Sequence, residues 1–461
     1  MKKERIFVWI LIASFVKGII WAIVVPPLQT PDEPVHFEYV QFMAENNKIP
    51  ILRDEAQHSS EMELFYKSVD MRNIAYHTEN KYKINENLFK ELSDNRQNYD
   101  RNSNGSSVAA GYPPGYYFFA ALFYKFFYFS SIFDRYYAVR LFSVLLGVLA
   151  TAITYLISSR LFDKKKNIAI TISILVSFHP MFSMVGIAVN NDILMNTVTM
   201  AIMLSLIYII YSPTRKRLLF TGVLLGFGLI IKPTMVFVTA IALSLILVYF
   251  ISKKFSLQFW IESAVYLFVP ILIIYLPWGI FSFKHYHSFT GGIGMQPPGD
   301  LNVGLHWYIV NTFLIKEAIF RSFDTWVVSF WANFGWLDTR FTSRIIYKVL
   351  ALISLASVVG SIYGIIKRKK YYKTIAVCLI VVILNFIFLY LVEIQYFMRF
   401  HNFMLQGRYL FTSLVPISII IVMGISYLFP EKLKNYVFYS LCLLMFLFNV
   451  SSLDIISSRY Y

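Results

Sequence analysis

Apolar runs long enough to cross a hydrocarbon core of ~30 Å recur along the chain, separated by short polar interruptions. They predict helices at Ile6–Val25, Tyr137–Ser158, Ile168–Val189, Ile193–Tyr211, Leu218–Ile231 and Met235–Ile251. The series continues with Ala264–Phe283, Val349–Ile366, Thr374–Leu391, Tyr409–Leu428 and Tyr436–Val450, about eleven spans by the hydropathy criterion. Two further apolar stretches are aromatic-rich and charged: Tyr116–Phe133 carries Lys125, and Phe320–Leu337 carries Arg321 and Asp324. Within the first long polar segment, Val35, Tyr39, Val40, Phe42 and Met43 predict a short amphipathic helix over Val35–Asn46, lying on the bilayer. Asn95–Ser107 is polar and rich in Gly, Ser and Asn, and reads as a mobile loop; Gly291–Gly299 is rich in turn residues.

Composition turns this pattern into a class. The 461 residues are 57% hydrophobic and 18% aromatic, more apolar matter than the interior of a water-soluble domain of this length holds. The expectation is an all-α polytopic membrane protein. The basic start before Ile6 resembles a signal peptide, but no small-x-small cleavage pattern follows, so the first segment is read as a retained helix. Cys378 and Cys442 both fall in apolar runs and read as packing residues.

Charge then fixes the expected topology. The basic clusters are Lys164–Lys166, Arg215–Arg217, Lys253-Lys254, Lys367–Lys370 and Lys432/Lys434. All share a side with Lys2, Lys3 and Arg5 only if Tyr116–Phe133 and Phe320–Leu337 lie in the interface. The positive-inside rule places both stretches there, with a cytoplasmic N-terminus and an outward C-terminus. A single transmembrane domain, 1–461, then carries two long extracytoplasmic loops, 26–135 and 284–347, each bearing interfacial helices. The net charge of +16 divides accordingly: Pro26–Gly115 holds 14 acidic and 9 basic residues, and the remainder carries +21. A basic excess confined to cytoplasmic loops faces anionic membrane lipids and gives no reason for a nucleic-acid partner.

The densest chemistry follows the first span directly: Pro26-Pro27-Leu28-Gln29-Thr30-Pro31-Asp32-Glu33-Pro34-Val35-His36. Proline fixes φ and restricts its predecessor, so Asp32 and Glu33 sit on stiffened backbone. A rigid acidic pair where a helix leaves the bilayer suggests chemistry on a substrate that lives in the lipid. Further polar clusters fall at the same face: Asn190-Asn191-Asp192, Lys232-Pro233, Asp338 with Arg340, and Gln406-Gly407-Arg408. On this reading, residues distant in sequence line one cavity at the outer interface. Each also has a plain structural role: Asn190–Asp192 as a capping turn, Lys232 as a snorkelling side chain, Arg408 as an interface anchor. Leu218–Ile231 is short for a span, which puts Lys232 deep, and a buried lysine wants an anionic partner. Arg140, near the outer end of its span, serves either as partner to a carboxylate or as a helix anchor. One histidine, His36, beside two carboxylates is a thin metal set, so no metal ligand is assigned; a divalent cation is compatible with the acidic pair. No nucleophile elbow, P-loop or dinucleotide fingerprint occurs.

The acidic pair after the first helix, with Tyr112-Pro113-Pro114-Gly115-Tyr116-Tyr117 later in the same loop, resembles the membrane glycosyltransferases of the GT-C superfamily. Pro31–Phe37, Asn190–Asp192, Phe334-Gly335-Trp336-Leu337-Asp338 and Gln406-Gly407-Arg408-Tyr409-Leu410 resemble more closely a bacterial family of predicted membrane proteins of unassigned function. Two departures stand out. Gly115 replaces a usual large apolar residue, and the chain stops soon after its last span, without the C-terminal soluble domain of oligosaccharyltransferases. Acceptors that need such a domain fall outside the expectation.

The resemblance implies transfer of a sugar from a polyprenyl-phosphate donor to a glycan or lipid acceptor outside the cytoplasm, building cell-envelope glycopolymer or glycolipid. A carboxylate general base, Asp32 or Glu33, would deprotonate the acceptor. Lys232 and Arg408 would neutralise the leaving phosphate. His36, Tyr112, Asn191, Asp192, Asp338, Arg340 and Gln406 would bind substrate, Tyr112 by stacking on a sugar face. No cofactor is required. The competing classes are a flippase or transporter of lipid-linked saccharide and a non-catalytic envelope-assembly protein. Transporters place ionisable groups near the midplane in broken, repeated helices, whereas here the helix middles are almost free of charge.

Overall fold

The computed structural model describes residues 2–52, 59–95, 99–101, 108–163, 165–292 and 304–461. In chain order the helices are α1 (Lys2–Val24), α2 (Glu33–Asn46), α3 (Ser60–Ser68), α4 (Met71–Ile74), α5 (Glu86–Asp94), α6 (Gly115–Phe126) and α7 (Ile132–Leu161). They continue with α8 (Lys166–Ser177), α9 (Pro180–Val185), α10 (Asn191–Tyr211), α11 (Arg215–Leu229), α12 (Met235–Lys253) and α13 (Leu257–Tyr286). The remainder are α14 (Leu305–Ile309), α15 (Lys316–Phe323), α16 (Ser329–Trp331), α17 (Arg344–Ile366), α18 (Tyr372–Phe400), α19 (Leu414–Tyr427) and α20 (Lys434–Tyr460). Among the described residues no strand forms beyond an isolated bridge between Phe334 and Thr339. The protein is an all-α, multi-pass membrane protein.

Nine helices among the described residues are long and apolar enough to cross a bilayer. The two expected spans that fall short do so for physical reasons. Ile168–Val189 is broken, because Pro180 has no N–H to continue the helix. The carbonyls freed at the break find side chains: Asn449 Nδ2 donates to the Phe178 carbonyl and to Ser183 Oγ, both at 2.9 Å, and Ser183 Oγ reaches the His179 carbonyl at 3.1 Å. A break inside a membrane protein is tolerated when its backbone groups are satisfied in this way. The second, Leu218–Ile231, is α11, only 15 residues or about 22 Å of helix. It packs backbone to backbone on α13: a Cβ at Gly222 would lie 2.5 Å from the Leu267 carbonyl oxygen, and one at Gly226 2.9 Å from Ile271 Cα. Small residues four apart allow that approach.

The chain divides into two compact units: Phe15–Ala150 with Met184–Met295 and Ile456–Tyr461, called here the first-loop unit, and Met1–Ser14 with Thr151–Ser183 and Gln296–Ile455, the second-loop unit. In the first-loop unit α2 forms as expected but does not lie on a surface. Ten of its fourteen residues are buried, including Glu33, His36, Glu38 and Gln41. Most of Asn95–Ser107 and all of Ile293–Gly299 lie outside the described residues.

A buried charge network ties the first long loop together. The Arg135 guanidinium forks onto Glu61, with Nη1 to Oε2 at 3.0 Å, and also meets the Tyr124 hydroxyl. Arg135 and Glu61 are both 0% exposed. Gln41 Nε2 donates to Glu61 at 3.0 Å, Ser59 Oγ to Gln41 at 2.7 Å, and the Tyr124 hydroxyl to Glu45 at 2.7 Å. One cluster thus clasps α2, α3, α6 and α7. From the far end of the chain, Arg459 donates to the carbonyls of Ile74, His77 and Asn80 at 3.1, 2.8 and 2.6 Å, and Tyr82 N donates to the Tyr460 carbonyl at 2.7 Å.

In the second-loop unit, His179 stands at the break between α8 and α9. It stacks on Trp331 at 5.0 Å and is edged by Phe330 and Phe411. Asn385 on α18 donates to Thr412 and Ser413, both at 3.0 Å, next to the start of α19.

Replacing Arg135 by Met takes from the buried Glu61 carboxylate its forked partner and leaves it, among the described residues, only Arg101, at 3.9 Å, as a cation. Removing one partner of a buried pair costs about 3–5 kcal/mol, so the variant is expected to show a strongly lowered apparent melting temperature in detergent. Arg135→Met with Glu61→Gln should recover part of the loss. A single variant that melts like the parent would show that the network carries little stability.

Candidate functional site

The acidic pair is split by its surroundings. Glu33 is 0% exposed and sits on Arg140, also fully buried. Arg140 Nε donates to Glu33 Oε1 at 3.0 Å and Nη2 to Oε2 at 2.8 Å. The other guanidinium hydrogens go to backbone carbonyls: Nη1 to Ala22 at 2.9 Å and Val25 at 2.7 Å, and Nη2 to Pro26 at 3.1 Å. All five donors of the guanidinium fork are thereby used. The cation sits at the C-terminal end of α1, where unpaired carbonyls and the helix dipole favour positive charge. Glu33 Oε1 also accepts from Val189 N at 3.0 Å. Arg140 is therefore a carboxylate partner and a cap for α1 at once. Glu33, expected as a candidate base, has both oxygens committed to this anchor.

Asp32 has the opposite environment. It is exposed and takes a left-handed backbone conformation, φ 63°, at the N-cap of α2, and its carboxylate does not cap that helix. Aspartate tolerates this region better than most residues. Leu28, also left-handed at φ 63°, donates its N–H to the Tyr136 hydroxyl at 2.8 Å. The proline turn is thus pinned from Arg140 and Tyr136 on α7, and it carries Asp32 outward while Glu33 points inward.

Tyr112 is the hub of the remaining polar groups in this unit. Its ring lies 5.6 Å from the His36 ring and 5.6 Å from Lys232 Nζ. Lys232 is in ion-pair contact with Asp192, the anionic partner its depth requires. Asn190, not Asn191 or Asp192, caps α10: its Oδ1 accepts from Asp192 N at 2.9 Å. Asn191 Nδ2 reaches the Ile231 carbonyl at 3.4 Å. His36 Nδ1 and the Tyr117 hydroxyl are 2.6 Å apart, and Tyr117 stacks on Tyr39 with ring centroids 3.6 Å apart. Burial pushes both the Tyr117 and the Tyr39 phenol well above the usual tyrosine range, so both stay neutral.

Gly115 now has a reason. Its N–H donates to the Ile230 carbonyl at 2.7 Å, and a Cβ there would lie 2.5 Å from that oxygen. Glycine lets the start of α6 seat directly on the turn that carries Lys232. The large apolar residue that the GT-C pattern leads one to expect would push the two apart.

Asp338, Arg340, Gln406 and Arg408 belong to the second-loop unit and are described there by themselves. Asp338 Oδ1 accepts from Thr339 Oγ1 at 2.9 Å, in the turn closed by Phe334 and Thr339. Arg340 is largely exposed and approaches Asp324 at 3.4 Å. Arg408 is buried at 6% exposure and lies 5.7 Å from the Tyr409 ring. Gly407 N donates to Ser329 Oγ at 2.7 Å, and Glu393, buried on α18, accepts from Met404 N at 2.9 Å. Of the expected clusters, the structure brings His36, Tyr112, Lys232 and Asp192 together in the first-loop unit. Among the described residues no group of three or more His, Cys, Asp or Glu is arranged to hold a metal ion.

Sequence reasoning missed Tyr39 and Tyr117 as walls of the His36 environment. Their signal was present: Tyr39 lies three residues after His36 on one helix face, and Tyr117 closes the Tyr112–Tyr117 segment.

The comparisons bear on this arrangement. Oligosaccharyltransferase AglB from Archaeoglobus fulgidus, solved in complex with an inhibitory peptide and a dolichol-phosphate, is similar over 99% of this chain with TM-score 0.54 and 14% identity. ArnT from Cupriavidus metallidurans, solved bound to undecaprenyl phosphate, is similar over 98% of this chain with TM-score 0.53 and 12% identity. This chain spans 56% of the length of the AglB structure and 77% of the ArnT structure. These likenesses establish a GT-C-like fold. No curated protein matches the chain in sequence. Residues 15–421 match the family described as predicted membrane protein (DUF2142), and the chain belongs to that family.

Proposed function

We propose that this chain is a membrane glycosyltransferase of the GT-C type. It moves a sugar from a polyprenyl-phosphate donor to a glycan or lipid acceptor at the extracytoplasmic face, in the making of cell-envelope material. The observation that carries the reading is the split acidic pair: Glu33 buried on Arg140 as an anchor, and Asp32 held exposed beside it by the same turn. Two structures of similar fold hold polyprenyl phosphates, dolichol-phosphate in one and undecaprenyl phosphate in the other, which supports a lipid phosphate as the donor class. The contacts of the C-terminal residues with Ile74–Tyr82 support an outward C-terminus, because that segment belongs to the first outer loop.

The chemistry needs few groups. Asp32 takes the proton of the acceptor hydroxyl as that oxygen attacks the anomeric carbon. The bond from the anomeric carbon to the phosphate oxygen breaks, and the lipid phosphate leaves with the electron pair. A single displacement inverts the anomeric centre. Lys232, a cation 5.6 Å from the Tyr112 ring, neutralises the phosphate oxygens as charge develops. The Tyr112 ring, flanked by His36 and Lys232, offers a face for the sugar. The scheme does not require a metal.

A flippase would share the lipid and the cations. It is disfavoured by where the acids lie, since Asp32 and Asp192 both stand at helix N-termini and not at helix centres.

In proteoliposomes supplied with a polyprenyl-phosphate sugar, Asp32→Asn is expected to lower transfer by at least ~100-fold, with parental expression and melting temperature. Near-parental transfer in that variant would remove Asp32 as the base, and movement of intact donor across the bilayer without sugar transfer would favour the flippase. Glu33→Gln should do the reverse in kind, lowering the melting temperature before any effect on the chemical step; unchanged stability would sink the anchor. Lys232→Met should lower transfer ~10–100-fold while the protein stays folded, and full activity would take Lys232 out of the phosphate's surroundings.

A further inference from the structure

Polar groups around the anchor are well served by partners, and a few side chains near it are not. Asn196 on α10 is 1% exposed, and neither Nδ2 nor Oδ1 has a hydrogen-bond partner among the described residues. Gln29 is 0% exposed with both amide atoms in the same condition, and Asn191 Oδ1 is likewise unpartnered. Buried amides are normally paired, and an unpaired one is costly, above all in a membrane span.

Their positions are not scattered. Asn196 lies four residues after Asp192, on the same face of α10 and one turn further along it. Neighbours on that face look toward the turn that carries Lys232: Thr234 Oγ1 donates to Met195 Sδ at 3.3 Å, and Thr199 Oγ1 to Met235 Sδ at 3.5 Å. Asn196 therefore extends the Asp192–Lys232 pair along α10. Gln29 stands three residues before Asp32 in the proline turn, which the bond from Val189 N to Glu33 joins to the segment leading into α10.

We infer that Asn196, with Asn191 and Gln29, reads uncharged hydroxyls of the donor sugar at this site. The inference rests on the glycosyltransferase reading above and adds the chemical class of the sugar. A carboxamide donates from nitrogen and accepts at oxygen, and so matches a hydroxyl, which does both. An ammonium group on the sugar would need acceptors alone, and a carboxylate donors alone. The nearby charges are already matched, Asp192 by Lys232 and Glu33 by Arg140, so the amides select a neutral group. A site built to hydrogen-bond a hydroxyl discriminates strongly against ligands that lack it, because its own polar atoms are then left unpaired.

The test compares binding of three lipids to the purified full chain in detergent: undecaprenyl phosphate alone, undecaprenyl phosphate carrying a neutral hexose, and undecaprenyl phosphate carrying an amino sugar. The parent is expected to bind the neutral-hexose lipid at least ~10-fold tighter than the bare phosphate lipid, with no such gain for the amino sugar. Asn196→Leu should lose that gain, keep parental affinity for the bare lipid, and melt at the same or a higher temperature, since an apolar side chain of similar size removes the unpaired amide. Gln29→Met provides the same comparison should Asn196→Leu not fold. Retention of the full hexose gain in either folded variant overturns the inference, as does a larger gain for the amino sugar in the parent. A parent that binds the bare lipid without any hexose gain refutes the sugar assignment and leaves the lipid-phosphate reading standing. A parent that binds none of the three refutes both.

Discussion

A guanidinium with all of its hydrogens spoken for is a rigid object, and Arg140 is one. It takes the last carbonyls of α1, the first proline of the following turn and both oxygens of Glu33. Such a group is expensive to bury unless every donor is met, and here each one is. Once it is in place, the exit of the first span, the proline turn and the start of α2 have a single geometry. The Val189 contact to Glu33 then brings the segment before α10 to the same point. The position of Asp32, and through α10 that of Asp192, follows from that one buried ion.

The first long loop shows the same logic on a larger scale. A loop of this polarity on a membrane protein need not fold at all, since water would satisfy its backbone. Here Arg135 and Glu61 make an interior for it, with Gln41, Ser59, Tyr124 and Glu45 completing the hydrogen bonds. The short α11 ends just before the 230–232 turn, and Gly115 lets α6 rest on that turn. Each departure from a regular span, whether a short helix, a broken one or a glycine at a crowded point, falls where backbone must come close to backbone.

Much of this was legible in the chain. Hydropathy located the nine long apolar helices, because lipid demands length and apolarity and the sequence must supply both, but α13, α18 and α20 run well past the predicted ends. At Ile168–Val189 and Leu218–Ile231 the apolarity is present, but Pro180 and a 15-residue length keep either from forming one long continuous helix. Charge and depth pointed to an anion beside Lys232, and Asp192 answers. What could not be read was the division of labour between Asp32 and Glu33. Adjacent carboxylates look alike in one dimension; their difference comes from an arginine 107 positions away. The burial of α2 was hidden for a similar reason, since its polar residues, Glu38 and Gln41 among them, resemble a solvent face until Tyr66 and Glu61 arrive to pair with them.

The grip of Arg459 on the loop after α4 has a consequence for biogenesis. Its bond to the Ile74 carbonyl closes a separation of 385 residues, so the early loop must wait for ribosomal synthesis and insertion of almost everything between before it is fastened. Contacts of such range form late, after the entropy of closing the intervening chain has been met. Until then the segment after α4 stands unlatched, and it is the end of α20 that fastens it.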